Sequence, residues 1–142
     1  MNASRMTIAE LGAFLRAELP LMFRYESFTI EHADGRTCRI RQGFDETMLR
    51  PGGTISGPAL MTLADAAMYI VLLSAIGPVG LAVTTNLCIN FLRKAPANRD
   101  LLAEAKLLKL GKRLAVGEVL LFSEESLDPI AHVTSTYSVP NT

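Results

Sequence analysis

The sequence predicts an α+β domain in which one curled antiparallel sheet wraps a single long buried helix, with a short helix ahead of it. Three observations carry this expectation. The nineteen residues Pro58–Ile76 are apolar on nearly every side and meet no breaker until Gly77-Pro78. Strand-like segments lie before and after that stretch. The 142 residues are 49% hydrophobic and 20% charged, which suits one globular domain, residues 1–142, with a real core.

The elements follow in order. Thr7-Ile8-Ala9-Glu10 has the form of a capping box. Ile8, Leu11, Leu15 and Leu19 continue at helical spacing until Pro20, so a short amphipathic helix is expected over about 7–19. Two strands are expected near Glu26–His32 and Thr37–Phe44, with Asp34-Gly35 as their hairpin turn. Arg50-Pro51-Gly52-Gly53-Thr54 carries the chemistry of a loop. Ser56 and Gly57 are good capping residues for the long helix, and a proline is tolerated in its first turn.

A transmembrane span competes for Pro58–Ile76, because its length is about that of a bilayer crossing. Asp65 near its middle argues against it, since a charge is expensive in lipid. A soluble core helix is preferred.

After the helix, Leu81–Leu92 alternates. Val83, Thr85, Leu87, Ile89 and Phe91 are expected on one face, and Thr84, Asn86, Cys88 and Asn90 on the other. Leu101–Leu110, Leu114–Phe122 and Ile130–Val139 complete four strands in a meander. Leu101–Leu110 has helical propensity but is assigned to the sheet from its neighbours.

Composition excludes some functions. Fourteen basic and fourteen acidic residues cancel, so bulk charge gives no reason to expect a nucleic-acid or membrane partner. Cys38 and Cys88 form no metal-ligand pattern and are expected as buried, reduced thiols. Met1–Pro20 contains Glu10 and Glu18 and no unbroken apolar run, so a cytoplasmic protein is expected.

Asp65 is the only charged residue between Arg50 and Arg93. A carboxylate in apolar surroundings needs a partner, a hydrogen bond or a proton. It is either a bonded structural group or a base or nucleophile kept for a reaction. Thr62 and Tyr69 share its helix face, and each is either a hydrogen-bond partner for it or a packing residue. Ser56-Gly57 at the helix start offers free N–H groups to an anion or a polarised carbonyl, although an ordinary N-cap explains the serine equally well. Eight residues of helix, about 12 Å, separate Gly57 from Asp65. Groups acting on one carbonyl must lie within about 3 Å of it. If both serve one site, they come from two antiparallel copies in a two-fold dimer. Arg93-Lys94 and Lys112-Arg113 could clamp phosphates, while Lys106 and Lys109 read equally well as a protected strand edge.

The run Gly53-Thr54-Ile55-Ser56-Gly57-Pro58-Ala59-Leu60-Met61-Thr62-Leu63-Ala64-Asp65-Ala66-Ala67 resembles the loop-and-helix motif of the hotdog-fold thioesterases, in particular the PaaI-type (phenylacetate-degradation) branch. Val83–Ala95, Asp100–Ala105, Leu110–Arg113 and Ile130–Tyr137 continue the resemblance in order, over about residues 26–139. Arg50 stands where the family's asparagine is usual, Ser56 where its histidine is, and Pro58 where its second glycine is.

The resemblance implies a hotdog fold, assembly as a homodimer or homotetramer, and hydrolysis of acyl-CoA thioesters at the subunit interface. By that resemblance Asp65 is the general base or nucleophile and the Gly57 N–H polarises the carbonyl. Thr84 and Ser56 assist, and Arg50, Thr62, Tyr69, Asn86, Arg93, Lys94, Lys112 and Arg113 are candidates for holding substrate. No metal or organic cofactor is implied, since CoA is part of the substrate. The alternative is a non-catalytic acyl-CoA-binding protein. A hydratase with an Asp–His pair ranks below both, because neither His32 nor His132 lies in such a motif.

Overall fold

A computed structural model describes residues 5–19 and 28–140. Helix α1 (Ile8–Glu18) opens on the expected capping box: Thr7 Oγ1 accepts from the Glu10 N–H, and Glu10 Oε1 accepts from the Thr7 N–H. Leu11 and Leu15 are buried while Ile8 stays exposed, so the apolar stripe starts one turn later than its spacing suggests. Strands β1 (Phe28–Ala33) and β2 (Thr37–Gln42) form the hairpin. The start of the first expected strand, Glu26 and Ser27, lies outside the described residues, as does Pro20. Asp34 organises the turn, its carboxylate accepting from the N–H groups of Arg36 and Thr37 at 2.9 and 2.7 Å.

Helix α2 (Gly57–Ile76) is the core. It is long and apolar enough to cross a membrane, but most of it is buried within the sheet, as expected of a soluble core helix. Strands β3 (Val83–Phe91), β4 (Leu101–Leu110), β5 (Leu114–Ser123) and β6 (Ala131–Ser138) follow. The assignment of Leu101–Leu110 as a strand holds. Its helix-forming alanines alternate with charges, so Ala103 and Ala105 pack inward and Glu104 and Lys106 face out.

The six strands are ordered β1-β2-β4-β5-β6-β3, and every pairing is antiparallel. The expected four-strand meander is therefore corrected. Only β4, β5 and β6 run as neighbours, and β3 crosses to the far edge to pair with β6. Alternation tells which face a residue takes but not which strand lies beside it. Lys106 and Lys109 consequently project from an interior strand and do not guard an edge.

Helix and sheet approach closely at Gly117. A Cβ there would lie 2.6 Å from Met68 Sδ and 2.8 Å from the Lys106 carbonyl, so only glycine fits beneath the helix. The two thiols differ, contrary to expectation. Cys38 is buried, donates to the Ala67 carbonyl at 3.3 Å, and is pushed up to about 12 by burial. Cys88 is exposed on β3.

Candidate active site

The first turn of α2 is capped in a way that isolates one donor. Ser56 Oγ accepts from the Ala59 N–H at 3.2 Å, and the Ser56 carbonyl accepts from the Leu60 N–H at 3.2 Å. Pro58 has no N–H to offer. The Gly57 N–H has no partner among the described residues, so it is the unpaired donor at the positive end of the helix. Ser56 is thus an N-cap, its hydroxyl already engaged, and Pro58 removes a competing donor. Phe91, at the end of β3, lies over this point. A Cβ on Gly57 would come 3.3 Å from its Cζ, so the glycine lets the ring sit close.

Asp65 occupies the same face two turns on, half-buried. Thr84 Oγ1 donates to its Oδ1 at 2.6 Å, and Tyr137 Oη donates to the same oxygen at 2.9 Å. Oδ2 has no hydrogen-bond partner among the described residues. One oxygen is clamped and the other remains available, which is the arrangement a general base or nucleophile needs. Burial, the largest cause, raises the Tyr137 phenol well above its ordinary range, and the neighbouring Asp65 charge adds to this, so it stays a donor at neutral pH.

Thr84 reaches the carboxylate because β3 is bulged. Thr84 pairs with Tyr137 and Asn86 with Thr136, leaving Thr85 as the extra residue. The bulge moves Thr84 to the inner face and corrects the expected alternation, which had put Thr84 with Asn86, Cys88 and Asn90. Thr85 instead donates to the Thr136 carbonyl at 3.2 Å.

Other expected partners lie elsewhere. Thr62 Oγ1 donates back to the Pro58 carbonyl at 3.0 Å. The Tyr69 hydroxyl lies 3.4 Å from the Gly80 carbonyl, and its ring stacks on Tyr137 at 5.8 Å. Neither bonds Asp65; Tyr69 packs its ring on Tyr137, which does. Arg50 and Asn86 are exposed; the backbone of Arg50 closes its loop through Thr54 and Gly53. Tyr137 was missed because it lies 72 residues from Asp65 in sequence, where no local spacing links them.

The basic residues do not gather in one chain. Arg93 and Lys94 follow the Phe91 end of β3, with Arg93 donating to the Pro129 carbonyl at 2.8 Å. Lys112 and Arg113 lie at the opposite end, where Leu114 pairs with Ser138. The length of β6, about 23 Å, separates the two pairs. Among the described residues no group of three or more His, Cys, Asp or Glu side chains is placed to hold a metal ion.

Comparison with known proteins gives the family. A profile of the thioesterase superfamily matches residues 52–130, which include α2, Gly57, Asp65 and Thr84. The chain belongs to the thioesterase superfamily. A solved protein of Silicibacter sp. TM1040, named as a proposed thioesterase, is 42% identical over 97% of this chain and 94% of its own, with a TM-score of 0.88. Zebrafish thioesterase superfamily member 2 shares the fold at 20% identity, covering 95% and 99% of the two chains with a TM-score of 0.83. A hypothetical thioesterase of Streptococcus pneumoniae, solved with coenzyme A, does so at 20% identity, with coverage of 93% and 98% and a TM-score of 0.78. A mutant of the phenylacetic acid degradation protein PaaI of Thermus thermophilus is more distant in shape, at 24% identity, 85% and 99% coverage and a TM-score of 0.72. No functionally curated protein matches this member of the superfamily.

Proposed function

We propose that this thioesterase-superfamily protein hydrolyses an acyl-CoA thioester to a carboxylic acid and CoA, at sites built by two subunits. The observation that carries the reading is one unpaired amide, Gly57, and one oriented carboxylate, Asp65, on one helix but about 12 Å apart. Neither can serve the other's carbonyl within a chain. A two-fold axis crossing α2 between them brings Gly57 of one copy to Asp65 of the other.

The same operation rejoins the other separated groups. Among the described residues edge strand β3 has no strand on its outer side, and self-pairing near Leu87 would set Thr84 of one copy beside Phe91 of the other. It would also bring Arg93 and Lys94 to the end of the sheet where the second copy carries Lys112 and Arg113. That gives the CoA phosphates a cluster that no single chain has. The coenzyme A bound by the Streptococcus relative supports the ligand class. The helix motif supports the PaaI-type branch.

In the reaction, the thioester oxygen accepts from the Gly57 N–H. A water held by Asp65 Oδ2 attacks the carbonyl carbon and passes its proton to the carboxylate. The tetrahedral intermediate then breaks its C–S bond, and the proton goes to the departing CoA thiolate. Direct attack by Asp65, through a mixed anhydride that water then cleaves, uses the same geometry.

Asp65→Asn tests the reading. The amide oxygen still accepts from Thr84 and Tyr137, but the base is gone. Hydrolysis should fall about a hundredfold or more, substrate affinity should barely change, and the melting temperature should hold or rise. Unchanged turnover per folded molecule with a lower melting temperature would make Asp65 a structural group. Tight acyl-CoA binding by the wild type without turnover would favour the binding-protein alternative, which the unusual Arg50 and Ser56 motivate.

A further inference from the structure

We propose that Met61 stands on the two-fold axis of the assembled protein and sets the length of acyl group its two sites accept, selecting short apolar chains. This rests on the thioesterase reading above and deepens it. Gly57, Met61 and Asp65 are spaced four residues apart and form one stripe along α2. The helix is sealed beside the stripe at Leu60, 3% exposed, and behind it at Leu63, 4% exposed, yet Met61 is 41% exposed and stands open together with Pro58 and Thr62. A large apolar side chain standing open on a core helix calls for something to cover it.

The symmetry supplies the cover. Met61 is the midpoint between Gly57 and Asp65. An axis that joins Gly57 of one copy to Asp65 of the other must therefore cross the helix pair at Met61, and the two Met61 side chains meet there. Each site then lies about 6 Å from the axis, half the Gly57–Asp65 interval. An acyl chain running inward from the thioester carbonyl has room for about four or five carbons, at about 1.5 Å per C–C bond, before it reaches the methionine pair.

The walls fix the chemical class. The half-exposed ring of Phe91 lies against Gly57 at one end of the stripe, Leu87 packs on the core from the inner face of β3, and α2 carries no charge other than Asp65. A carboxylated acyl group would find no cation there and would be repelled by Asp65. Methionine is flexible and fills gaps adaptably, so the limit should be graded.

The experiment compares kcat/KM along a straight-chain series from acetyl-CoA to decanoyl-CoA for the wild type, Met61→Ala and Met61→Phe. The wild type should peak near butyryl-CoA. The alanine variant should raise the octanoyl-to-butyryl ratio about tenfold or more, since each methylene accommodated is worth about that factor. The phenylalanine variant should shift the peak toward acetyl-CoA. Met61 is exposed in the single chain, so both variants should fold, and melting curves and mass by light scattering check that they do. Turnover with an unchanged length profile in both variants, or a wild-type optimum at decanoyl-CoA, would overturn the role of Met61 and leave the thioesterase reading standing. Wild-type failure on every acyl-CoA would instead overturn that reading and this inference with it.

Discussion

At the scale of single residues, the site depends on which hydrogen bonds are already taken. Ser56 spends its hydroxyl on the Ala59 N–H and Pro58 has no donor, so two of the three departures from the family's motif leave the Gly57 amide without a partner among the described residues. Tyr137 is the residue whose role sequence reasoning did not find. Its hydroxyl and that of Thr84 hold Asp65 Oδ1, and Oδ2 has no hydrogen-bond partner among the described residues. Tyr137→Phe removes one of these two donors while Thr84 keeps the other. We expect kcat to fall about tenfold, in line with about 1.5 kcal/mol for a hydrogen bond to a charged group, with KM little changed. Steady-state kinetics on a folded, monodisperse variant checks this. An equal rise in KM with constant kcat would assign the hydroxyl to binding instead. Asp65 and Gly57 stood out because each had a physical oddity in the sequence, a lone charge and a capped glycine, whereas Thr84 was named only through the family resemblance. Tyr137 carried no such mark, since a tyrosine in a half-buried strand is ordinary packing.

At the scale of elements, length and periodicity read well and adjacency read poorly. Helix α2 was recovered from the pattern internal to its segment, and the strand identity of Leu101–Leu110 from its neighbours against its own helical propensity. The crossing of β3 to pair with β6 was not, because nothing within Val83–Phe91 names its neighbour. The β1–β2 hairpin was legible from Asp34-Gly35, and its structure adds a pH dependence. The Thr37 N–H, followed by the Arg36 N–H and the His32 and Thr37 side chains, holds the Asp34 carboxyl well below its usual range. A depressed folded-state value means the contribution is present above the unfolded value, about 3.9, and is lost as pH falls through the folded one. Glu31, held down chiefly by its hydrogen bond to Arg41, acts in the same direction. The melting temperature of the wild type should therefore decline below about pH 4, and Asp34→Asn should flatten that decline at a cost in neutral stability. Thermal melts between neutral pH and pH 2.5 read both; parallel curves for wild type and variant would remove Asp34 from the account.

At the scale of the whole molecule, the proposed two-fold operation would relate three separations that a single chain leaves open: Gly57 from Asp65, Phe91 from Thr84, and Arg93-Lys94 from Lys112-Arg113. The sequence suggested the first through helix rise alone and offered no means of seeing the other two, which depend on β3 lying at an edge. We expect a homodimer or a dimer of dimers. Light scattering at micromolar concentration should give at least twice the chain mass of 15.4 kDa. A monomer at that concentration would contradict the shared site and leave edge strand β3 without a partner.

The bulge at Thr84–Asn86 carries a consequence for how such sites diverge. Thr84 meets Asp65 because the strand holds one residue more than its partner, not because of any side chain nearby. Pairing without the bulge at the same chain length would set Thr85 opposite Tyr137 and Thr84 opposite Ser138, turning Thr84 to the outer face while every motif on α2 stayed intact. Pairing register at this point is thus as much a determinant of the carboxylate's surroundings as residue identity. Between relatives, a shift of pairing register in this strand would mark a change of chemistry that matching helix motifs conceal.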